Sequence, residues 1–181
     1  VIRCPLCLLP VPDCICAAKP QASSRSAFCF VMYKGEAYKP TNTGRLIADV
    51  APENFAFVWD RTQPDSELLA PIVVFPQQYS APERCIDTVE TGDKIPLFVM
   101  LDGTWREAKK MFSKSPYLDG FPVLGIQPEQ SSLYQLREAA HDHQLCTAEV
   151  GIAVLELAGD HQASSDLAAY FTTFRRNYIA G

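Results

Sequence analysis

The sequence predicts a mixed α/β domain, a mostly parallel sheet with helices on both faces, joined to a small cysteine knuckle at the amino end. Three observations carry that expectation. Short runs that are apolar on both faces, at residues 27–33, 55–59, 71–76 and 96–100, alternate with segments of helical spacing, as the buried strands of a covered sheet require. One of these runs, Pro96-Leu97-Phe98-Val99-Met100, passes through Leu101-Asp102-Gly103-Thr104 straight into a helical pattern. Four of the seven cysteines stand within the first sixteen residues, apart from everything else. At 181 residues and 48% hydrophobic content the chain can bury one sizeable core, and two large domains are not expected.

In chain order, Cys4-Pro5-Leu6-Cys7 and Cys14-Ile15-Cys16 form two close thiol pairs around a short proline-containing loop. This spacing can wrap four sulfurs around one tetrahedral ion, and four thiolates close the shell of a structural zinc. An iron–sulfur cluster, or thiols that are simply reduced or paired, are the other readings; the odd cysteine count and the crowding speak against a secreted disulfide framework. Residues 19–26 are small and polar and read as a linker, giving a knuckle over 1–24 and a main domain over 25–181.

Residues 27–33 form the first strand. Pro40-Thr41-Asn42-Thr43 is turn chemistry ahead of a helix that places Leu46, Ile47 and Val50 on one face, with Thr41, Asn42 or Thr43 available as its cap. Residues 55–59 are a second strand, 60–67 a polar connection, and 71–76 the clearest strand, β-branched and aromatic residues bracketed by prolines. A turn-rich stretch, 77–94, leads to the strand at 96–100. Thr104 and Glu107 then have capping-box spacing, in which hydroxyl and carboxylate satisfy each other's backbone donors. The helix they open turns Trp105, Ala108, Met111 and Phe112 one way and Arg106, Lys109, Lys110 and Lys114 the other. Residues 121–126 suggest a further strand, and 127–144 a long connection whose His141 and His143 read as surface residues. An apolar helix follows from Leu145 with Thr147 as its cap. A last helix from about residue 165 spaces Leu167, Tyr170, Phe171, Phe174 and Tyr178 for burial.

Composition limits the partners. No apolar run approaches the roughly 20 residues of a membrane span, and the first residues lack a basic-then-apolar signal pattern, so a soluble cytoplasmic protein with no membrane partner is expected. A formal net charge of -5 disfavours broad capture of nucleic acid but allows a local basic stripe such as Arg106, Lys109, Lys110 and Lys114. That stripe is either a solvated helix face or a phosphate contact.

Asp102 is the candidate centre of chemistry. It occupies the turn between a strand's carboxyl end and a helix start, where carboxylate and backbone N–H groups meet and where open α/β sheets bind ligands. A plain capped turn is the alternative.

Four motifs in this order, the cysteine knuckle, Asn42-Thr43-Gly44-Arg45, Asp102-Gly103-Thr104-Trp105 and Leu145-Cys146-Thr147-Ala148-Glu149, make almost the whole chain resemble the DTW-domain family of tRNA-uridine aminocarboxypropyltransferases, which is similar in fold to the knotted SPOUT RNA-modifying enzymes. Gly103 stands at the variable place of the name-giving tripeptide and has no catalytic role. The resemblance implies a SPOUT-like domain with a carboxyl-terminal trefoil knot. It also implies transfer of the 3-amino-3-carboxypropyl group of S-adenosylmethionine to N3 of a tRNA uridine, with methylthioadenosine released. On that footing Asp102, Thr104 and Trp105 form the catalytic turn, with Glu36 and Glu149 as reserve bases. Thr43, Gly44, Phe75, Pro76, Leu101, Gly103, Leu145, Cys146, Thr147 and Ala148 line the donor site. Arg45, Arg106, Lys109, Lys110 and Arg137 contact tRNA, and Cys4, Cys7, Cys14 and Cys16 hold structural Zn2+. Asp102 is either a general base, weakened by the helix N-terminus beside it, or a group that orients the donor. A methyltransferase of the same fold and a non-catalytic zinc-containing RNA-binding module are the rival functions. Which uridine is modified and whether the protein dimerises are open at this point.

Overall fold

The computed structural model describes residues 1–59, 69–126 and 147–180. Among these residues six strands, β1 (Ala27–Met32), β2 (Asn54–Val58), β3 (Leu69–Val74), β4 (Cys85–Ile86), β5 (Ile95–Asp102) and β6 (Val123–Leu124), form one sheet in the order β2-β1-β5-β3-β6-β4. Every pairing is parallel. The long central strand β5 lies between β1 and β3, with Met32 opposite Asp102 and Val74 opposite Met100, so three strands end together at one edge.

Parallel strands buried on both sides need apolar residues of both parities, and the sheet divides them cleanly. Phe28, Phe30, Ile72, Val74, Phe98 and Met100 face the helices α1 (Gly44–Val50), α3 (Thr147–Leu157) and α4 (His161–Ala180). Val31, Val73, Phe75 and Val99 face α2 (Trp105–Ser113), against Ala108 and Met111. Helices therefore cover both faces, as the sequence predicts. Two readings change. The two-residue strand β4 arises inside the turn-rich 77–94 stretch, too short to show a pattern, and α4 starts at His161 instead of near residue 165.

The knuckle is not strung on a loose tether. Cys7, Leu9 and Ile15 belong to the same buried cluster as Phe28, Leu46 and Phe174, and the Asn177 side-chain amide donates to the Asp13 carbonyl. Residues 19–26, read as a linker, are anchored as well. Ser23 and Ser24 donate backbone N–H groups to the Val50 carbonyl, and Ser24 and Ser26 are buried around Asp160. Small polar residues look like linker in sequence because their buried partner lies more than 130 positions away.

Candidate functional site

Asp102 is the last residue of β5 and continues the parity of Phe98 and Met100, so its carboxylate turns toward the face of α1 and α3. It is 3% exposed. Asn42 Nδ2 donates to its Oδ2 at 2.7 Å, and Thr147 Oγ1 donates to its Oδ1 at 2.9 Å. The same Asn42 amide donates to Glu36 Oε1 at 3.2 Å while its Oδ1 accepts the Gly44 N–H at 3.0 Å, which fixes its orientation. Glu36 is buried too, and its second oxygen pairs with Lys39. Two carboxylates are thus bridged by one amide at the sheet's carboxyl edge.

Gly44 is needed for this approach. A Cβ there would stand 2.8 Å from Asp102 Oδ2, closer than any carbon normally comes. Thr43 precedes α1 in the N-cap position, yet its hydroxyl makes no bond to α1; it accepts the Ala148 N–H of α3 at 2.9 Å. The first turns of two helices are stitched together directly over Asp102.

Burial pushes the Asp102 carboxyl above its ordinary value, against the lowering effect of the Asn42 and Thr147 bonds; Glu36 adds to the rise and Lys39 opposes it. At the α2 N-terminus the Thr104 N–H is taken by Glu107 Oε2 at 2.7 Å, so that donor does not reach Asp102, and burial is the largest influence on the carboxyl.

At the amino end the Sγ atoms of Cys4, Cys7, Cys14 and Cys16 lie within 4.8 Å of one another, with Cys4 to Cys16 at 3.6 Å and Cys7 to Cys14 at 3.8 Å. No disulfide links them. Four sulfurs about 2.3 Å from one ion sit roughly 3.8 Å apart at the corners of a tetrahedron, so the group could hold a metal ion and its spacing suits Zn2+. Backbone N–H groups of Cys7 and Leu6 bring the Cys4 thiol down to about 6, whereas burial and the neighbouring thiols push Cys16 up to about 12. A cation bound among the four would favour their thiolate forms.

A family model, the DTW domain, matches residues 1–179. The chain belongs to the DTW-domain family. No solved structure matches it.

In this DTW domain the three name-giving residues do three different things. Only Asp102 points into the polar cluster. Thr104 caps α2 in a complete capping box, its Oγ1 accepting the Glu107 N–H at 3.3 Å. Trp105 stacks on Phe75 with ring centroids 5.5 Å apart, on the α2 face of the sheet. Thr104 and Trp105, named with Asp102 in the catalytic turn, are thus the cap and the packing anchor that hold Asp102 in place, each with its partner in the opposite layer.

Of the proposed donor-site residues, Thr43, Gly44, Thr147 and Ala148 gather around Asp102. Leu101 and Phe75 carry the other parity and pack toward α2, so they can offer only backbone to that cluster. Pro76 opens the turn after β3, and Gly103 lies against Glu107 and Tyr33, where a Cβ would meet the Glu107 carboxylate at 2.9 Å. Glu149 stands in the first turn of α3. Leu145, Cys146, Arg137, His141 and His143 lie outside the described residues.

The basic residues separate into two kinds. Arg106, Lys109 and Lys110 are exposed on α2. Arg45 is turned inward: Nε and Nη2 donate to the Asn42 carbonyl, Nη2 also to the Lys39 and Pro40 carbonyls, and Nη1 to the Cys7 carbonyl. Its expected phosphate contact gives way to a structural tie between the knuckle and the loop that carries Asn42. Sequence reasoning does not assign Asn42 a site role; its signals there are its place in the turn before α1 and in the Asn42-Thr43-Gly44-Arg45 motif.

Proposed function

We propose that this DTW domain is a tRNA-modifying enzyme that transfers the 3-amino-3-carboxypropyl group of S-adenosylmethionine to N3 of a tRNA uridine. The observation that supports it is the buried Asp102 cluster at the carboxyl edge of a parallel sheet, where ligands of open α/β sheets bind, within a chain that the family model matches over residues 1–179. Attack by uridine N3 on the methionyl γ-carbon forms the N–C bond. The C–S bond breaks with its electron pair going to sulfur, and methylthioadenosine leaves. The N3 proton needs an acceptor. Asp102 suits that role because burial raises its basicity, and the neighbouring cation Lys39 is paired with Glu36 and not with Asp102. Asn42 and Thr147 hold the carboxylate in one orientation, each occupying one oxygen and leaving room for a further donor.

A SPOUT-like, knotted arrangement belongs to the same reading. Bound at the four cysteines, zinc would brace the amino end, since a shell of four thiolates leaves no open position for substrate. Metal analysis should return one zinc per chain, lost on Cys7→Ser.

The test is incubation with S-adenosylmethionine and bulk unmodified tRNA, followed by mass analysis of nucleosides and by-product. Aminocarboxypropyluridine with methylthioadenosine is the expected pair. Methylated nucleoside with S-adenosylhomocysteine would instead make the protein a methyltransferase, and no binding of S-adenosylmethionine by calorimetry would make it a non-catalytic RNA-binding module. Asp102→Ala should abolish single-turnover transfer while donor binding persists; loss of donor binding would reassign Asp102 as the group that positions it.

A further inference from the structure

On the side of the sheet opposite to Asp102, aromatic rings collect at the same carboxyl edge. Tyr33 follows β1, Trp59 follows β2, Tyr79 lies in the turn after β3, and Trp105 begins α2 just after β5. They form two groups. Tyr33 and Trp59 stack with centroids 6.0 Å apart and planes 15° from parallel, while Tyr79 meets Trp105 edge-on at 5.4 Å. Each group carries one lysine of α2. Lys110 Nζ lies 5.7 Å from the Tyr33 ring and 5.8 Å from Trp59, and Lys109 Nζ lies 5.5 Å from Trp105 and 6.0 Å from Tyr79.

The rings are held from below, and above them Tyr79 is exposed while Tyr33, Trp59 and Trp105 are half-buried. Trp59 Nε1 donates to the fully buried Ser115 hydroxyl, and Trp105 rests on Phe75, yet Tyr79 is 43% exposed and Lys109 and Lys110 are exposed. The one carboxylate of α2, Glu107, is committed to the Thr104 N–H, so the outer helix face is cationic. Rings buried only for packing do not need a cation over each group. Fixed aromatic faces alternating with positive charge are what a single-stranded nucleic acid requires, because bases stack and phosphates are neutralised at neighbouring points. A duplex hides its base faces and uses only the charge.

We propose that Tyr33, Trp59, Tyr79, Trp105, Lys109 and Lys110 form a stacking surface for unpaired nucleotides of the RNA substrate, leading its strand over the sheet edge toward Asp102. This rests on the reading of the chain as a tRNA-modifying enzyme. Unpaired nucleotides flanking the target base are the class of substrate it selects.

The chain has two tryptophans, and both lie in this surface, so indole fluorescence reports on it directly. A 12-nucleotide single-stranded RNA without internal pairing and a blunt RNA duplex of the same length are titrated at one salt concentration into Trp59→Phe, which reports Trp105, and Trp105→Phe, which reports Trp59. The single strand should quench both and bind about tenfold tighter than the duplex, and Tyr33→Ala or Tyr79→Ala should each weaken it about tenfold. The Phe versions of those two tyrosines should bind like wild type, which separates lost stacking from lost fold. Binding with neither indole quenched, equal affinity for duplex, or Ala variants that bind normally would each overturn the surface. Calorimetry with S-adenosylmethionine keeps the two readings apart. Transfer activity with silent indoles removes the surface alone, whereas quenching without donor binding removes the transferase alone.

Discussion

Two buried aspartates stand at opposite edges of the same sheet, and their surroundings have opposite consequences. Asp160, just before α4, reaches the start of β1. It accepts the Ser26 N–H at 2.9 Å and hydroxyl at 2.7 Å, the Ser24 hydroxyl at 3.1 Å and the Arg25 N–H at 3.1 Å. Burial pushes its carboxyl up, but these donors together outweigh burial and hold it below the usual value. Asp102, at the other edge, has two donors and a second carboxylate nearby, and burial wins. The first is a clasp whose charge is matched in place; the second is an under-matched charge with one donor on each oxygen. Burial alone does not mark a functional carboxylate. What separates them is the balance of donors against depth: Asp160 has more donors and the Arg25 guanidinium at 3.5 Å, while Asp102 lies deeper with only two.

That contrast can be broken most directly through activity. Asp102→Asn should cut transfer about 10²- to 10⁴-fold in single-turnover assays while denaturant unfolding moves by no more than about 1 kcal/mol. Asp160→Ala should do the reverse, costing about 3 kcal/mol of stability because it strands several buried donors, with transfer per folded molecule unchanged. Gly44→Ala presses a methyl group onto Asp102 Oδ2 and should cost about 1–3 kcal/mol, with a loss of transfer that Asp160→Ala does not show. The smallest effect is in pH. Asp160, with its folded value depressed, contributes stability that is present above the unfolded value of about 4 and lost as pH falls through the folded value. Asp102, with its folded value raised, binds more protons folded than unfolded, so its contribution falls as pH rises above about 4. Unfolding curves of Asp102→Asn and Asp160→Asn should therefore diverge from wild type in opposite directions as pH rises through that region.

Much of this is legible in the sequence where the physics is local. The β-branched run at 71–76, the helical face of Leu46, Ile47 and Val50, and the Thr104 and Glu107 capping box involve neighbours within a few residues, and each is present. The four cysteines likewise converge as their spacing predicts. The site itself is only half legible. Asp102 can be named from its turn, but the amide that bridges it to Glu36 comes from 60 positions earlier and the Thr147 hydroxyl from 45 later. Arg45 misleads because a guanidinium reads the same in sequence whether it meets phosphate or carbonyl. Ser24 and Ser26 mislead because small polar residues serve equally well in a loop and around a buried carboxylate.

The bond from the Ala148 N–H to the Thr43 hydroxyl, spanning 105 positions, also orders events in time. Loop closures this long are entropically costly and form late in folding, while the cysteine knuckle closes over a short local stretch and can form at once. A nascent chain can thus bring its four cysteines together before Asp102 acquires its surroundings, which are complete only when α3 has docked. The Asp102 cluster is in that sense a readout of the finished fold: a copy clipped before α3 retains the four cysteines but lacks the Thr147 and Ala148 partners.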